Sequence, residues 1–408
     1  MKAIIGLVTV LIAATIGGCA ATESEPADAP TLAEATVDEP WDSVFTRASC
    51  WNGGDIAHSI DLRDGRTLWL FGDSIFGPVI GGSRVGERSR MMRAGVAWHP
   101  TPERGAAPAW ESVQFAGPEE FEGLAAAAWT SPAPGLFPEG TWYWLMNDGV
   151  RITRPQDRLV LFATAIGPSG NPDGMWNFRR VGGAVITVQN PAAPPDQWRS
   201  VQRVNPRVSA APLHGEPVRE GENDALAIVP WPDESGEYAV FGAHTDRDGT
   251  QRLTVARADG DDLAQPERWR REGLVVLGSD VPRVPDEFTV QRVRWEGRDV
   301  LVMIYSEPFL NRSIWARTAL DPRGPWSIAK AVYDTPDWGK GTFAYAAKGH
   351  AGLSRPGELL VTYAVNGDFG DVFERAVLYR PKFVRVPLSV LPGPPPGPRA
   401  DYTEATPR

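Results

Sequence analysis

The feature that most restricts the fold of this chain is a hairpin pattern that occurs five times along its 408 residues. In each copy an apolar segment leads into a turn that contains glycine, and a second segment rich in aromatic and β-branched residues leads out of it. Tight turns between such segments are typical of antiparallel strands, so the chain is predicted to be all-β. Each second segment stops at a polar residue, namely Asp73, Asp148, His244, Glu307 and Asn366.

The composition and the spacing of the copies favour one all-β architecture. The chain contains 42 Gly and 38 Pro, which disfavours long helices. A third apolar segment follows each hairpin, so each copy predicts a meander of three or four strands. Five meanders over residues 41–390 predict a five-bladed β-propeller, because radial repetition leaves only short sheet edges. A β-sandwich or a double barrel is the alternative, and the recurrent polar stop favours the propeller.

The first hairpin, residues 51–78, carries acidic groups at its open end. If Asp64 and Gly65 are the two turn residues, position 55 lies opposite position 74. Asp55 and Asp73 then share one end of the hairpin, although this ideal turn places Asp73 on the opposite sheet face. A structural role for Asp73 therefore stays open. In the second copy, the predicted first and second strands are residues 124–129 and 141–148.

In a propeller, the starts of the first strands and the ends of the second strands meet at one face of the central channel. Glycoside hydrolysis needs two carboxyl groups there, one to protonate the leaving oxygen and one to activate water or attack the anomeric carbon. Neighbouring carboxylates raise one another's pKa, which would supply the acid. The predicted catalytic residues are Asp55, Glu287 and Asp73.

Other polar residues at the same face are predicted to contact substrate, and Trp51 is predicted to stack on a sugar ring. Each has a structural alternative, such as a turn aspartate that binds its own backbone or a hydrogen-bonded buried histidine. Arg93 is a further candidate contact for a polar substrate. The predicted substrate-binding set is Trp51, Asp148, Asp224, His244, Glu307, His350 and Asn366.

The N-terminus predicts export. Lys2, the apolar core of residues 4–16 and the sequence Ile16-Gly17-Gly18 before Cys19 resemble a bacterial lipoprotein signal, residues 1–18. Cys19 would then be the lipidated N-terminus, with an ordinary secretory signal as the alternative. Residues 19–40 predict an acidic flexible tether, and residues 391–408 a Pro-rich disordered tail. The expected product is an exported lipoprotein that contacts the membrane only through Cys19.

Several classes of protein are disfavoured. The net charge of −10 argues against nucleic acid as a partner. The sequence lacks a Gly-x-Ser-x-Gly elbow, a His-Glu-x-x-His motif, a phosphate loop and a Cys-x-x-Cys pair. No cofactor is required and no metal site is predicted, although a central calcium ion remains an open alternative. We expect a monomer.

Four segments resemble the DUF4185 family. They are WNGGDIAHSIDLRDGRTLWLFGDSIFG, Asp286-Glu287-Phe288-Thr289-Val290, and LVTYAVN with the closing YRPKFVRVPL. The resemblance covers roughly residues 45–388. It implies a five-bladed propeller and, as in some members, cleavage of arabinan such as the D-arabinan of mycobacterial cell walls. It also implies that Asp55, Asp73 and Glu287 match the family's acidic positions, whereas Glu222-Asn223-Asp224-Ala225 departs from the pattern.

The resulting hypothesis is a lipid-anchored glycosidase that acts on a polysaccharide, arabinan by the resemblance. Asp55 would be the general base or nucleophile, and Glu287 the general acid. The first alternative is a non-catalytic surface lipoprotein that binds glycan or protein through the same face. The second is a scaffold in which the carboxylates are all paired with arginine.

Overall fold

Antiparallel strands dominate the computed structural model of this protein. It describes residues 35–119, 124, 126–169, 177–211, 220–233, 235–275, 277, 287–306, 311–339 and 341–395. The two α-helices in these ranges are short, α1 (Glu39–Val44) and α2 (Phe369–Glu374), and neither is long and apolar enough to cross a membrane. The all-β prediction is confirmed.

The strands follow one another with short connections, as the hairpin pattern predicts. In chain order they are β1 (Thr36–Val37), β2 (Trp51–Gly54), β3 (His58–Asp61), β4 (Arg66–Phe71), β5 (Ser74–Phe76), β6 (Val79–Ile80), β7 (Ser83–Arg84), β8 (Arg90–Met92), β9 (Gly95–Pro100), β10 (Gln114–Ala116), β11 (Trp142–Trp144), β12 (Gly149–Ile152), β13 (Arg158–Pro168), β14 (Phe178–Val188), β15 (Ser200–Val204), β16 (Gly221–Pro230), β17 (Tyr238–Thr245), β18 (Gln251–Ala258), β19 (Arg270–Val275), β20 (Phe288–Trp295), β21 (Arg298–Ser306), β22 (Ser313–Ala319), β23 (Lys330–Asp334), β24 (Thr342–Gly349), β25 (Glu358–Gly367) and β26 (Pro381–Pro387).

Among the described residues, the strands form five meander sheets of four or five strands and two smaller sheets. Sheet I has the order β3-β4-β9-β10, and in sheet II both β11 and β12 pair with β13, followed by β14 and β15. Sheet III is β16-β17-β18-β19, sheet IV is β20-β21-β22-β23, and sheet V is β24-β25-β26-β1. The small sheets are β2-β5-β8 and β6-β7. Within the described residues, no backbone hydrogen bonding between named strands joins one of these sheets to another.

The large apolar cores lie between sheets that are consecutive in the chain. Separate clusters of buried residues join sheets I and II, II and III, III and IV, and IV and V. A further cluster joins sheet V to sheet I, where Phe383 of β26 packs with Trp69 of β4. Burial of apolar surface, the main favourable term in folding, thus holds each sheet against two others. The first strands of sheets I to V contact one another in chain order.

The loop of the β3–β4 hairpin contains three residues, 63–65, and not the two predicted. A hydrogen bond between residues 62 and 66 closes this loop, and His58 pairs with Leu70. If this register is continued, position 55 lies opposite position 73 rather than 74. Because opposite residues share a sheet face, the expected separation of Asp55 and Asp73 onto two faces is wrong.

Sheet II departs from the predicted repeat. The described residues of the predicted first strand, 124 and 126–129, are not in a strand, and Ala128–Thr130 is a 3-10 helix. That position is occupied instead by β11 and β12, which pair with different parts of β13. Asp148 therefore lies between two parts of a first strand and not at the end of a second one.

Both ends of the described chain pack on sheet V. Thr36 pairs with Arg385, so strand β1 lies within residues 19–40, which the sequence analysis assigned to a tether. At the other end, Leu391 is buried and Thr318 Oγ1 donates to the carbonyl of Pro392, so the first residues of the predicted tail are part of the fold. Cys19, the signal and residues 396–408 lie outside the described residues.

Candidate functional site

The three acidic residues predicted to be catalytic line one pocket. This pocket has a volume of about 330 Å³ and receives side chains from several sheets. Besides Asp55, Asp73 and Glu287, its lining residues are Ile56, Trp144, Met146, Thr164, Ile166, Phe178, Arg179, Arg180, Asn223, Tyr345 and Tyr379. A larger open groove of about 790 Å³, beside Arg47 and Trp110, contains none of the predicted site residues.

Asp55 lies in the short connection between β2 and β3. Its Oδ2 accepts hydrogen bonds from the hydroxyls of Tyr345, at 2.8 Å, and Tyr379, at 3.2 Å. Its Oδ1 is buried and has no hydrogen-bond partner among the described residues. Gly72 makes room for this carboxyl group, since a Cβ there would clash with Asp55 Oδ1 and with Ile56 Cδ1.

The environment raises the pKa of Asp55 to about 8. Burial is the largest cause, and the negative charges of Asp73 and Glu287 add to it, while the two tyrosine hydroxyls oppose it. A carboxyl group with this pKa carries a proton at neutral pH. The site therefore contains one protonated carboxyl group and two further carboxyl groups, a combination suited to acid–base chemistry.

Asp73 shares the pocket but has a cationic partner. Arg93 donates a hydrogen bond to its Oδ2 at 3.0 Å, and the Arg93 guanidinium lies over the Trp142 ring at 4.7 Å. Burial nevertheless raises the pKa of Asp73, and the Arg93 charge only reduces this effect. Asp73 lies close enough to Asp55 for its negative charge to raise the pKa of Asp55.

Glu287 precedes β20, on the other side of the pocket. Its Oε2 lies 4.0 Å from Nζ of Lys348, a fully buried residue of β24. Burial lowers the pKa of Lys348, and the Glu287 charge partly restores it. Nζ has no hydrogen-bond partner among the described residues. Lys348 and Glu287 therefore form a pair of groups of opposite charge type at this side of the pocket.

Aromatic and apolar side chains line the same pocket as these carboxyl groups. Trp144 and Phe178 pack edge to face with ring centroids 4.7 Å apart, and Met146 and Ile166 continue the surface. Trp144 itself is only half-buried. Aromatic and apolar surface opposite a few polar groups is the usual composition of a small-molecule site.

Four of the predicted substrate contacts lie outside the pocket lining and contact other residues of the fold. Asp148 is buried, accepts from Ile228 N at 2.8 Å and lies 3.0 Å from His58 Nε2. His350 lies between Ser59 and Thr362, and burial lowers its pKa well below the usual value. The backbone and side-chain partners of both residues leave no group directed to a ligand.

Asp224 and His244 also lie outside the pocket lining. Asp224 accepts from Thr254 Oγ1 at 2.6 Å and is near Arg207 and Arg271, at 3.6 and 3.4 Å. His244 Nε2 is 3.2 Å from Asp246 Oδ1. Both side chains connect strands of sheet III or its turns.

The last three predicted substrate contacts are Trp51, Asn366 and Glu307. Trp51 is fully buried and stacks on Phe115, so it cannot receive a sugar ring. Asn366 donates to the Tyr345 hydroxyl at 3.4 Å and thereby supports a pocket residue without lining the pocket. Glu307 lies outside the described residues.

Residues that sequence reasoning missed complete the site. Tyr345, Tyr379 and Lys348 surround the carboxyl groups, and Arg179 and Asn223 lie in the lining. Among these residues, only Tyr379 lies in a sequence motif that was noticed, because it is the first residue of the closing YRPKFVRVPL segment. Tertiary packing brings the others together from distant strands. Within the described ranges, no group of three or more His, Cys, Asp or Glu side chains is arranged to hold a metal ion.

A comparison with known protein families identifies the family of this chain. The profile of DUF5005, a domain of unknown function, matches residues 38–389. The chain belongs to the DUF5005 family. The predicted relationship to DUF4185 is therefore wrong, and the properties that it implied no longer have that support. No curated protein sequence matches this DUF5005 chain.

Solved structures resemble the DUF5005 fold at low sequence identity. A protein of Bacteroides ovatus ATCC 8483, described as a "putative hydrolase", has a TM-score of 0.61 and 19% identity over 86% of this chain and 90% of that one. This likeness shows a shared fold. An exo-β-1,3-galactanase of Phanerochaete chrysosporium has a TM-score of 0.44 and 11% identity, over 87% of this chain and 64% of that one. A protein of unknown function from Dyadobacter fermentans DSM 18053 has a TM-score of 0.44 and 12% identity, over 87% and 98%.

Proposed function

We propose that this DUF5005 domain is a glycoside hydrolase that acts on a polysaccharide through Asp55, Glu287 and Asp73. The observation that carries the proposal is the convergence of these three carboxyl groups in one pocket that aromatic side chains also line. Asp73 is bonded to Arg93, but Asp55 accepts hydrogen bonds from two tyrosine hydroxyls, so the carboxyl groups are not all paired with arginine. Arabinan specificity rested on the resemblance to DUF4185 and is not part of this proposal.

The electrostatics favour roles opposite to those in the sequence-based hypothesis. Asp55, with a pKa of about 8, holds a proton at neutral pH and would donate it to the leaving oxygen. Glu287, beside the Lys348 ammonium, would be the ionised group that activates water or attacks the anomeric carbon. Asp73, held by Arg93, would keep the pKa of Asp55 high.

The five-bladed propeller is the architecture that we propose for this site. Its support comes from five meander sheets in the described residues and from the cores between consecutive sheets, including the one between sheets V and I. In such a fold the pocket lies where first strands begin, near the central channel. This accounts for the arrival of Asp55 and Glu287 from different sheets at one site.

We also keep the proposal that the protein is exported and anchored through a lipid on Cys19. Its support is the sequence of residues 1–19, and a membrane location fits an enzyme for an extracellular polysaccharide. The Cys19→Ala substitution should release the protein from the membrane fraction and abolish incorporation of a labelled fatty acid. Retention of the label in this variant would contradict the anchor.

The first test is release of reducing sugars from a panel of polysaccharides that includes neutral and uronic-acid-containing glycans. Asp55→Asn and Glu287→Gln should each lower the rate on a natural glycan by about 100-fold or more. Glu139→Gln, on an exposed turn, is the matched control and should leave the rate unchanged. If the wild-type protein binds a glycan but releases nothing, the protein is a non-catalytic binding protein.

A second measurement assigns the acid. An aryl glycoside with a good leaving group needs no protonation, so loss of the general acid should slow its cleavage little. We therefore expect Asp55→Asn to retain most of its activity on such a substrate, and Glu287→Gln to lose it. The opposite result would restore the order assigned from the sequence.

A further inference from the structure

Strand β24 contacts both of the carboxyl groups to which the proposed function assigns proton donation and attack. The Tyr345 hydroxyl donates to Asp55 Oδ2 at 2.8 Å, and Lys348 Nζ lies 4.0 Å from Glu287 Oε2. Tyr345 and Lys348 are three positions apart in the chain. In a regular strand, side chains at this spacing point to opposite faces of the sheet. A local irregularity in β24 must therefore bring the two side chains to one site.

A β-bulge between the two residues is this irregularity. Tyr345 pairs with Ala364 of β25. Lys348 pairs with Thr362, so three steps along β24 correspond to two steps along β25. Because the two partners on β25 share a face of the sheet, Tyr345 and Lys348 share that face as well. Ala346, within the bulge, has a positive φ of 54°, and such strain in a residue other than glycine is typical of functional sites.

Hydrogen bonds fix the direction of the Tyr345 hydroxyl. The Gly367 N–H donates to Asn366 Oδ1 at 2.8 Å, which leaves the amide nitrogen of Asn366 to donate to the Tyr345 oxygen at 3.4 Å. The hydroxyl proton of Tyr345 is then directed to Asp55 Oδ2. This bond lowers the pKa of Asp55 and so opposes the larger effect of burial.

Lys348 is fully buried and brings a positive charge to the same part of the molecule. The charges of Glu287, Asp148 and Asp55 raise the pKa of its amine, against the larger effect of burial. His350, directly after β24, also faces this charge, which lowers the pKa of the imidazole. Lys348 thus interacts with acidic residues from three other parts of the chain.

We propose that Tyr345 and Lys348 are positioning residues that hold the carboxyl groups of Asp55 and Glu287 at a fixed separation for reaction. The bulge at Ala346 provides the geometry, since it places both side chains on one face of β24. Tyr345 orients the Asp55 carboxyl group through its hydroxyl, and Lys348 holds Glu287 through its charge. The inference rests on the proposed function in taking Asp55 and Glu287 as the reacting groups.

The first measurement does not require hydrolysis. The pKa of Asp55 is followed by NMR of protein with isotope-labelled aspartate carboxyl carbons, and its signal is identified by its absence from Asp55→Asn. Tyr345→Phe removes a hydrogen bond to the ionised carboxyl group and should raise this pKa by about 1 from its wild-type value of about 8. Lys348→Met removes a nearby positive charge and should raise it as well. Both variants retain the other groups that face Asp55, namely Asp73, Glu287 and Tyr379.

Matched controls remove the same groups elsewhere. Tyr333→Phe removes the hydroxyl of a buried tyrosine outside the pocket lining, and Lys382→Met removes the charge of a half-buried lysine on β26. Both should leave the pKa of Asp55 unchanged. Lys348→Gln is a second neutral variant, used if Lys348→Met does not fold. An Asp55 pKa that keeps its wild-type value in Tyr345→Phe, or in the folded neutral variants of Lys348, would overturn the proposal.

The second measurement is kinetic and uses a natural glycan that wild type cleaves. Tyr345→Phe and Lys348→Met should each lower kcat by about tenfold or more and change KM little. The reason is that both variants displace a reacting group but keep the aromatic and apolar lining of the pocket. A raised KM with an unchanged kcat would assign these residues to substrate binding and overturn the positioning role.

The two measurements separate this inference from the proposed function. A response of the Asp55 pKa in both variants, without cleavage of any glycan by wild type, would keep Tyr345 and Lys348 as positioning residues of the carboxyl cluster and reject hydrolysis. Cleavage by wild type, with kcat and the Asp55 pKa unchanged in both variants, would keep the proposed function and reject the inference.

Discussion

At the level of single residues, Asp55 is the group whose protonation differs most clearly between the folded and unfolded protein. Its pKa rises from 3.8 to about 8 on folding, so the folded state binds a proton that the unfolded state has released at neutral pH. Stability must then fall as pH rises through this interval, because the unfolded state binds fewer protons. A buried acid at a candidate active site thus reduces stability under neutral conditions.

The Asp55→Asn variant should remove this pH dependence. We expect its free energy of unfolding, relative to wild type, to increase between pH 3.8 and about pH 8, since the amide cannot ionise. Urea unfolding at a series of pH values measures the difference, with Glu139→Gln as the control. Parallel profiles for Asp55→Asn and wild type would show that the Asp55 proton is not taken up on folding.

Gly72 is required for the position of the Asp55 carboxyl group. In Gly72→Ala, the new Cβ meets Asp55 Oδ1 and Ile56 Cδ1, and the displacement should cost about 1–3 kcal/mol. Gly352→Ala, where a Cβ meets nothing within 4 Å, is the control and should change stability much less. Thermal unfolding compares the two, and equal effects would contradict a close fit at position 72.

At the level of elements, helix α1 connects the start of the domain to its last strand. Asp38 accepts from Trp41 N at the helix start, and the ring of Trp41 stacks on Phe383 at 5.3 Å. Asp42 at the same helix accepts from Phe383 N, and burial raises its pKa to about 6. The helix is short, so its stability must come from these tertiary contacts.

Removal of the Trp41 ring should therefore destabilise the domain strongly. Trp41→Ala creates a cavity at a fully buried site and is expected to lower the free energy of unfolding by about 3–5 kcal/mol. Trp110→Ala removes the same ring from a site that is 55% exposed, and should have a much smaller effect. Chemical denaturation measures both. Similar losses in the two variants would show that α1 is not part of the cooperative core.

The hairpins show how much of the fold and the site the sequence could predict. Alternation of apolar residues and glycine turns predicted most strands in sheets I, III, IV and V. The exact loop length of the first hairpin was not predictable, because Asp64-Gly65 fits a two-residue or a three-residue loop. A shift of one residue in the pairing of the two strands determines whether Asp73 and Asp55 lie on the same face of the sheet.

Only those residues of the candidate site that differ clearly from their neighbours in the sequence could be predicted. Asp55 follows two glycines and Glu287 precedes an apolar strand, whereas Tyr345 and Lys348 occur within ordinary strand sequence. Their contacts with Asp55 and Glu287 depend on packing between sheets. His350 and Asp148 have the residue types of a site, but His350 is hydrogen-bonded to two hydroxyl groups and Asp148 to His58 and the backbone.

At the level of the whole molecule, the C-terminal limit of the domain is testable. Leu391 is 3% exposed within the core between sheets IV and V, and the Pro392 carbonyl accepts from Thr318. A chain that ends at residue 390 should be less stable than one that ends at 395 by about 2–4 kcal/mol, because it loses both contacts. Thermal unfolding of the two chains measures the difference, and identical midpoints would place the limit at 390.

The pairing of β1 with β26 also sets an order of events during synthesis. Thr36 is among the first described residues to leave the ribosome, but its partner Arg385 is among the last. Until β26 emerges, the rings of Trp41 and Phe45 lack the Phe383 surface on which they stack. The start of the domain can complete its packing only after almost all of the remainder is made, so a nascent chain exposes apolar surface that chaperones can bind.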